Sequence, residues 1–133
     1  MKALSVRQPW ASLIASGHKT IELRTWNTKF RGEFVLCSSA SAPSTHNRKV
    51  YPEHSAGPRG VTLAIVELID VDGADPYNTD DAIGACCTPD YGDFVWRVRV
   101  VRLLEPEPVK GLLGFWNYEG PLTFARTARK IAR

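Results

Sequence analysis

Within the eight residues Gly17-His18-Lys19-Thr20-Ile21-Glu22-Leu23-Arg24 stand an amine, a carboxylate and a guanidinium close enough to act together. Glu22 and Arg24 are two apart, so in an extended chain they point to the same face. Lys19 lies where a helix hands over to that strand, and can aim its amine at the same face. Such a cluster supports two kinds of chemistry. A carboxylate can take a proton from water while a cation steadies the oxyanion forming on an attacked carbonyl. A partly desolvated amine can instead serve as nucleophile or proton shuttle. An ion-pair ladder on a sheet surface would use the same residue types and contribute little to stability.

The elements that must position this cluster are legible around it. Lys2 to Val6 reads as an opening strand, and Pro9 sits where a helix begins, since its fixed φ and missing N–H cost nothing there. Trp10, Leu13 and Ile14 form an apolar stripe, which assigns Trp10 to the core, and Gly17 is the expected stop. Lys19 to Trp26 and Gly32 to Ser38 read as strands. Ser39 to Gly60 has no periodicity and reads as a long loop of the kind that covers a cleft. Val61 to Val71 is apolar on both faces, as a central strand is. Between Asp72 and Asp93 only one helical turn is expected, near Asp80 to Ala85. Phe94 to Leu104 alternates, with Phe94, Trp96, Val98 and Val100 on one face and Val95, Arg97, Arg99 and Val101 on the other. Lys110 to Tyr118 is a short closing element. The pattern predicts an α+β, mainly β domain: a small closed or partly open barrel with an early helix. Residues 121–133 are expected as a basic helix or tail, with Ala125, Ala128 and Ile131 at helical spacing.

Length and composition fit one ordinary core: 133 residues, 44% apolar and 23% charged. No apolar run reaches the ~18 residues of a membrane span, and the amino terminus lacks a secretory pattern, which points to the cytoplasm. Cys37, Cys86 and Cys87 suit neither a disulfide framework nor a metal set, and His18, His46 and His54 are scattered, so no cofactor or metal is expected. Charge is uneven. Residues 60–96 hold eight acidic and no basic residues, whereas residues 97–133 hold eight basic against three acidic. A basic face suits a phosphate-bearing partner, although such runs are also ordinary solvated surface.

The stretch SVRQPWASLIASGHKTIELR resembles the opening of an ASCH domain, a family related to PUA-type RNA-binding barrels. Its Gly-x-Lys-x-x-Glu-x-Arg hallmark is matched by Gly17, Lys19, Glu22 and Arg24. Gln8-Pro9-Trp10, Val109-Lys110-Gly111 and Gly114-Phe115-Trp116-Asn117 are similar too, so the likeness runs from about Ala3 to Asn117. It implies a barrel over residues 1–120 with a motif-lined cleft beside the early helix. It further implies RNA or nucleotide binding, single-strand ribonuclease activity, or hydrolysis of N4-acetylcytidine to cytidine. That hydrolysis uses a Lys, a Thr and a Glu. The Lys matches Lys19; the Thr position is Glu22 here, a departure from the pattern.

Two functional expectations follow. In the first, an amidohydrolase acts on a modified cytosine nucleoside, with Lys19, Glu22 and a distant carboxylate as catalytic groups and Arg24, Ser5, Arg7 and Gln8 against the substrate. Glu67 is the candidate for the distant carboxylate, as a charge on the Val61/Leu63/Ile65/Ile69 face of an apolar strand that needs a partner. Asp90 and Asp93 are alternatives on turns. In the second, the domain binds RNA, with Lys19, Arg24, Arg7 and the Arg97/Arg99/Arg102 row on phosphates and Trp26 or Trp10 stacked on a base.

Overall fold

The computed structural model describes residues 1–126. Six strands form one sheet: β1 (Lys2–Val6), β2 (Ile21–Arg24), β3 (Gly32–Ser38), β4 (Thr62–Gly73), β5 (Phe94–Leu103) and β6 (Phe115–Asn117). They lie in the order β2-β5-β4-β3-β1-β6, with β1 and β3 parallel and the other neighbours antiparallel. The register shifts at Leu36/Cys37, Ile65/Val66 and Leu68/Asp70. Bulges of this kind bend a strand and increase its twist. The sheet curls into a half-barrel, so Phe115 of the edge strand β6 stacks on Trp96 of β5, with ring centroids 5.6 Å apart. Phe34 and Trp26 close on the same ring, at 5.8 and 5.9 Å.

The core is the concave face of this sheet together with α1 (Trp10–Ala15), whose residues 11–15 are all buried. Leu4, Phe34, Val66, Leu68, Trp96 and Val98 are buried there, and each such side chain stabilises by roughly 1.5–3 kcal/mol. The alternation expected of β5 holds: Trp96 and Val98 face the core, and Arg97 and Arg99 face out. Gly17 ends α1 with φ +85°, and its N–H donates to Ile14 O across 3.0 Å. The chain then doubles back, since Lys19 N–H donates to Leu13 O at 3.0 Å and Thr20 N–H to Gly84 O at 2.9 Å.

Two segments differ from expectation. Ser39 to Gly60 is no plain loop: it carries α2 (Thr45–Val50) and α3 (Pro52–Ser55). The periodic signal is missing because α2 buries no residue; it is started instead by Ser44, whose hydroxyl accepts from Asn47 N–H at 3.1 Å. The helical turn before β5 is longer than expected, α4 (Thr79–Ala85), capped by Asn78 and ended by Cys86 at φ +60°. At the carboxyl end, residues 122–126 are not helical. Phe124 bridges Leu104, Glu105 N–H donates to Thr123 O and Ala125 N–H to Leu103 O, because β5 runs on past the end of β2 with backbone groups on that edge to satisfy. The rest of the segment expected as a basic helix or tail, from 127 on, lies outside the described residues.

Candidate active-site cleft

Lys19 and Glu22 are both charged and both buried, at 2% and 8% exposure. Burial of this kind is tolerated only with partners. Lys19 Nζ donates to the Ala85 carbonyl across 2.6 Å, lies 3.7 Å from Glu22 Oε1, and sits 4.9 Å from the centre of the Trp10 ring. A carbonyl, a carboxylate and an aromatic face are the partners of an ammonium group rather than of a free amine. The other Glu22 oxygen is 3.3 Å from Arg24 Nε, and Arg24 Nη2 donates to Ser5 O across 3.1 Å. The carboxylate is thus held between two cations, one deep and one nearer the surface.

These groups line a cavity of about 270 Å³, whose wall also includes Val6, Arg7, Trp10, Leu23 and Cys87. Burial pushes the Cys87 thiol up, against the opposing pull of the Lys19 charge, so it is no ready nucleophile at neutral pH. Arg24 also lines a second cavity of about 500 Å³, bounded by Ser5, the 38–41 turn and the 109–114 loop. The two cavities share Arg24 as a lining residue.

Of the residues expected to act here, Lys19, Glu22, Arg24, Ser5 and Arg7 come together. Arg7 is exposed at the rim, its Nε donating to Ala42 O across 2.7 Å. Gln8 does not join them. It is fully buried, giving Nε2 to Ser12 Oγ and Pro58 O, both at 2.8 Å, and taking Ser12 N–H at 2.9 Å. Its amide is spent on fastening α1 to the 57–60 turn. Glu67 is also elsewhere. Along β4, Ala64, Val66 and Leu68 face the main core, and Glu67 lies on the opposite face with Ile65, accepting from Arg99 Nη2. Asp93 lies at the turn before β5 and accepts Asp90 N–H at 3.0 Å; its charge helps to raise the Cys87 thiol. Arg97 is paired with Asp72 and Asp81, and Arg102 stacks 4.0 Å over Phe124, so the cationic row of β5 is largely engaged.

Trp10, expected either in the core or stacked on a base, is half-buried: it packs on the core and also walls the small cavity. Two participants were missed. The Ala85 carbonyl stands 66 residues from Lys19, and no local pattern links them. Tyr51 closes the cluster from the covering segment, its ring 5.7 Å from Trp10 and its hydroxyl donating to Cys86 O at 2.9 Å. Among the described residues, no three His, Cys, Asp or Glu side chains are grouped to hold a metal ion. No helix among them is long and apolar enough to cross a membrane.

Comparison with known proteins agrees with this fold. The ASCH domain model matches residues 4–112. Activating signal cointegrator 1 of Homo sapiens is 49% identical over 41 residues, 31% of this chain and 7% of that protein. The Mus musculus protein of the same name is 44% identical over 41 residues, again 31% of this chain and 7% of the relative. The matched stretch is therefore a small part of those longer relatives. Among solved structures, ASCH from Zymomonas mobilis aligns with a TM-score of 0.56 at 14% identity, over 79% of this chain and 71% of that one. A point mutant of the Zymomonas mobilis protein aligns at 0.55 and 14%, over 96% and 89%. At such identities the likeness is one of fold.

Proposed function

We propose, from the premise that this chain belongs to the ASCH domain family, that it removes the acyl group from an N4-acylated cytosine nucleoside. The observation that carries this reading is the buried contact of Lys19 with Glu22, 3.7 Å apart, in the wall of a cavity of about 270 Å³ beside Trp10. That volume suits a ligand at the small end of the usual range, and an aromatic wall suits a pyrimidine.

In the proposed step, Glu22 takes a proton from a water that adds to the acyl carbon. The carbonyl electron pair moves onto oxygen, where the Lys19 ammonium steadies it. The intermediate collapses with cleavage of the carbon–N4 bond, and the proton held by Glu22 passes to the departing N4 amine. The products are a carboxylic acid and the cytosine nucleoside. Arg24 holds one carboxylate oxygen and leaves the other turned towards Lys19. Chromatography of N4-acetylcytidine incubated with the wild type and with Lys19→Ala and Glu22→Gln tests the scheme. Cytidine release lost in both variants supports it; full release by both variants sinks it.

A second reading, an RNA-binding module with or without single-strand cleavage, is favoured by Arg7, which stands exposed on the cleft rim without an acidic partner among the described residues. Steep weakening of single-stranded RNA binding with salt is its signature, and a flat salt response would exclude phosphate contacts. In either case we take residues 1–120 as the ASCH unit and 121–133 as a basic appendage, working in the reducing cytoplasm where Cys86 and Cys87 stay as thiols.

A further inference from the structure

We propose that the excursion between β4 and β5, residues 74–93, presents a docking surface for an arginine-bearing segment of a partner protein. The proposal does not depend on the chemistry assigned to the cleft.

Single apolar side chains scattered over a surface need no explanation, but an exposed aromatic pair does. Tyr77 and Tyr91 are 80% and 73% exposed, and their rings meet edge to face with centroids 6.4 Å apart. Ile83 of α4 is exposed on the same excursion. The two rings are held in place by the turns that carry them. Asp75 Oδ1 accepts the Tyr77 N–H at 2.9 Å, and Asp93 Oδ2 accepts the Asp90 N–H at 3.0 Å. Ala74 N–H donates to Asp93 O across 3.0 Å, which ties one turn to the other. A tyrosine pair positioned in advance loses little freedom when a partner settles on it, and its rings offer an apolar body with a polar tip.

Charge selects the occupant. The acidic residues of the sheet are engaged: Glu67 with Arg99, Asp70 with Arg31, and Asp72 and Asp81 with Arg97. Asp75, Asp80, Asp90 and Asp93 have no cationic partner among the described residues, and residues 60–96 contain no Lys or Arg. Asp80 stands three residues before Ile83 and so shares its face of α4, and Asp90 adjoins Tyr91. The exposed rings are thus bordered by uncompensated carboxylates.

A guanidinium answers both features at once. It is planar and weakly hydrated, so it lies on an aromatic face while its edge donates paired hydrogen bonds to a carboxylate. An ammonium group satisfies the charge but keeps its water and stacks less well. A nucleic-acid backbone would be repelled by the same carboxylates. The surface also has a place relative to the cleft. Tyr77 stands two residues before α4, and α4 ends at Ala85, whose carbonyl takes the Lys19 ammonium. A docked partner would sit one short helix from the buried pair.

Nuclear magnetic resonance of the isotope-labelled full chain tests this. The peptide Gly-Arg-Gly-Arg-Gly-Arg-Gly and its lysine counterpart are titrated in at low and moderate salt. Amide shifts are expected to concentrate in residues 74–93, with the arginine peptide held several-fold tighter than the lysine one. Tyr77→Ser/Tyr91→Ser leaves the charge unchanged and should weaken binding about tenfold, the worth of two exposed cation–π contacts. Tyr77→Phe/Tyr91→Phe keeps the rings and should retain most of the affinity, which separates loss of stacking from loss of the turns. Asp80→Asn/Asp90→Asn should weaken binding and flatten its salt dependence. Unchanged affinity in the serine variant, equal affinity for the two peptides, or shifts lying mainly outside 74–93 overturn the proposal. Shifts in 74–93 that grow with protein concentration before any peptide is added would make a second copy of the chain the occupant, and overturn it equally.

Discussion

The Tyr51 hydroxyl donates to the carbonyl oxygen of Cys86 across 2.9 Å, one residue beyond the carbonyl that takes the Lys19 ammonium. The segment from 39 to 60 is thereby tied to the turn that holds the buried cation. The tie makes Tyr51 a positioning residue: it touches the backbone next to Lys19's acceptor, and its ring edges onto Trp10.

Tyr51→Phe keeps the ring contact and deletes one hydrogen bond, so stability should fall by about 1 kcal/mol, read as a drop of roughly 4 °C in Tm. If the bond positions Lys19, the rate constant on N4-acetylcytidine should drop further than the affinity for cytidine. Equal losses in the two would reduce Tyr51 to a structural strut.

Lys19→Met keeps length and apolar bulk while removing the charge. Glu22 then retains Arg24 at 3.3 Å but loses its inner partner, at 8% exposure. Breaking a fully buried pair costs about 3–5 kcal/mol; with Arg24 still in place the expected loss is nearer 1–3 kcal/mol. Hydrolysis should fall by about 10²–10³, the usual loss for one oxyanion donor. The double variant Lys19→Met/Glu22→Gln should recover part of the stability but none of the activity. Urea titration of the three proteins checks the first statement and the cytidine assay the second.

Strands β1 and β3 were readable from sequence to the residue, and β4 and β5 to within a residue or two, because alternation and run length specify them locally. Lys19, Glu22 and Arg24 were readable because one strand and its helix hand-over place all three. What escaped depended on contacts distant in sequence. Gln8 looked free to meet substrate, yet its partners Ser12 and Pro58 come together only once the 39–60 segment folds back on α1. Glu67 misled for a different reason. Simple alternation puts it with Val61, Leu63 and Ile65; it keeps the face of Ile65, but the extra residue Leu63 at the register shift opposite Leu36/Cys37 breaks the count and turns Leu63 into the core with Ala64, Val66 and Leu68, and no residue in that run announces a bulge. α2 was invisible because it buries nothing.

Glu67→Gln follows from that correction. The carboxylate meets Arg99, whose side chain is 62% exposed, and solvent screens such a pair. The substitution should change stability by no more than ~1 kcal/mol. It should leave the rate on N4-acetylcytidine within about twofold of wild type, while Glu22→Gln under the same conditions is inactive. A loss in Glu67→Gln comparable to that of Glu22→Gln would return Glu67 to the catalytic set.

Stability should fall with pH through one identifiable histidine. His54 is buried, with Nε2 unpartnered among the described residues and its ring 5.7 Å from that of His18. Burial pulls its pKa below the ordinary 6.5, the charge of His18 pulls it further, and nearby Glu53 opposes. A lowered value means that the unfolded chain binds the proton more readily than the folded one. The contribution is therefore complete above about pH 6.5 and is lost as pH falls through the folded-state value. Urea unfolding at pH 8.0, 6.5 and 5.5 should show this decline in wild type. Because burial is the larger cause, His18→Ala should keep most of the slope. His54→Gln removes the titrating group and should flatten that part of the curve. An unchanged decline in His54→Gln would assign the pH response to another group.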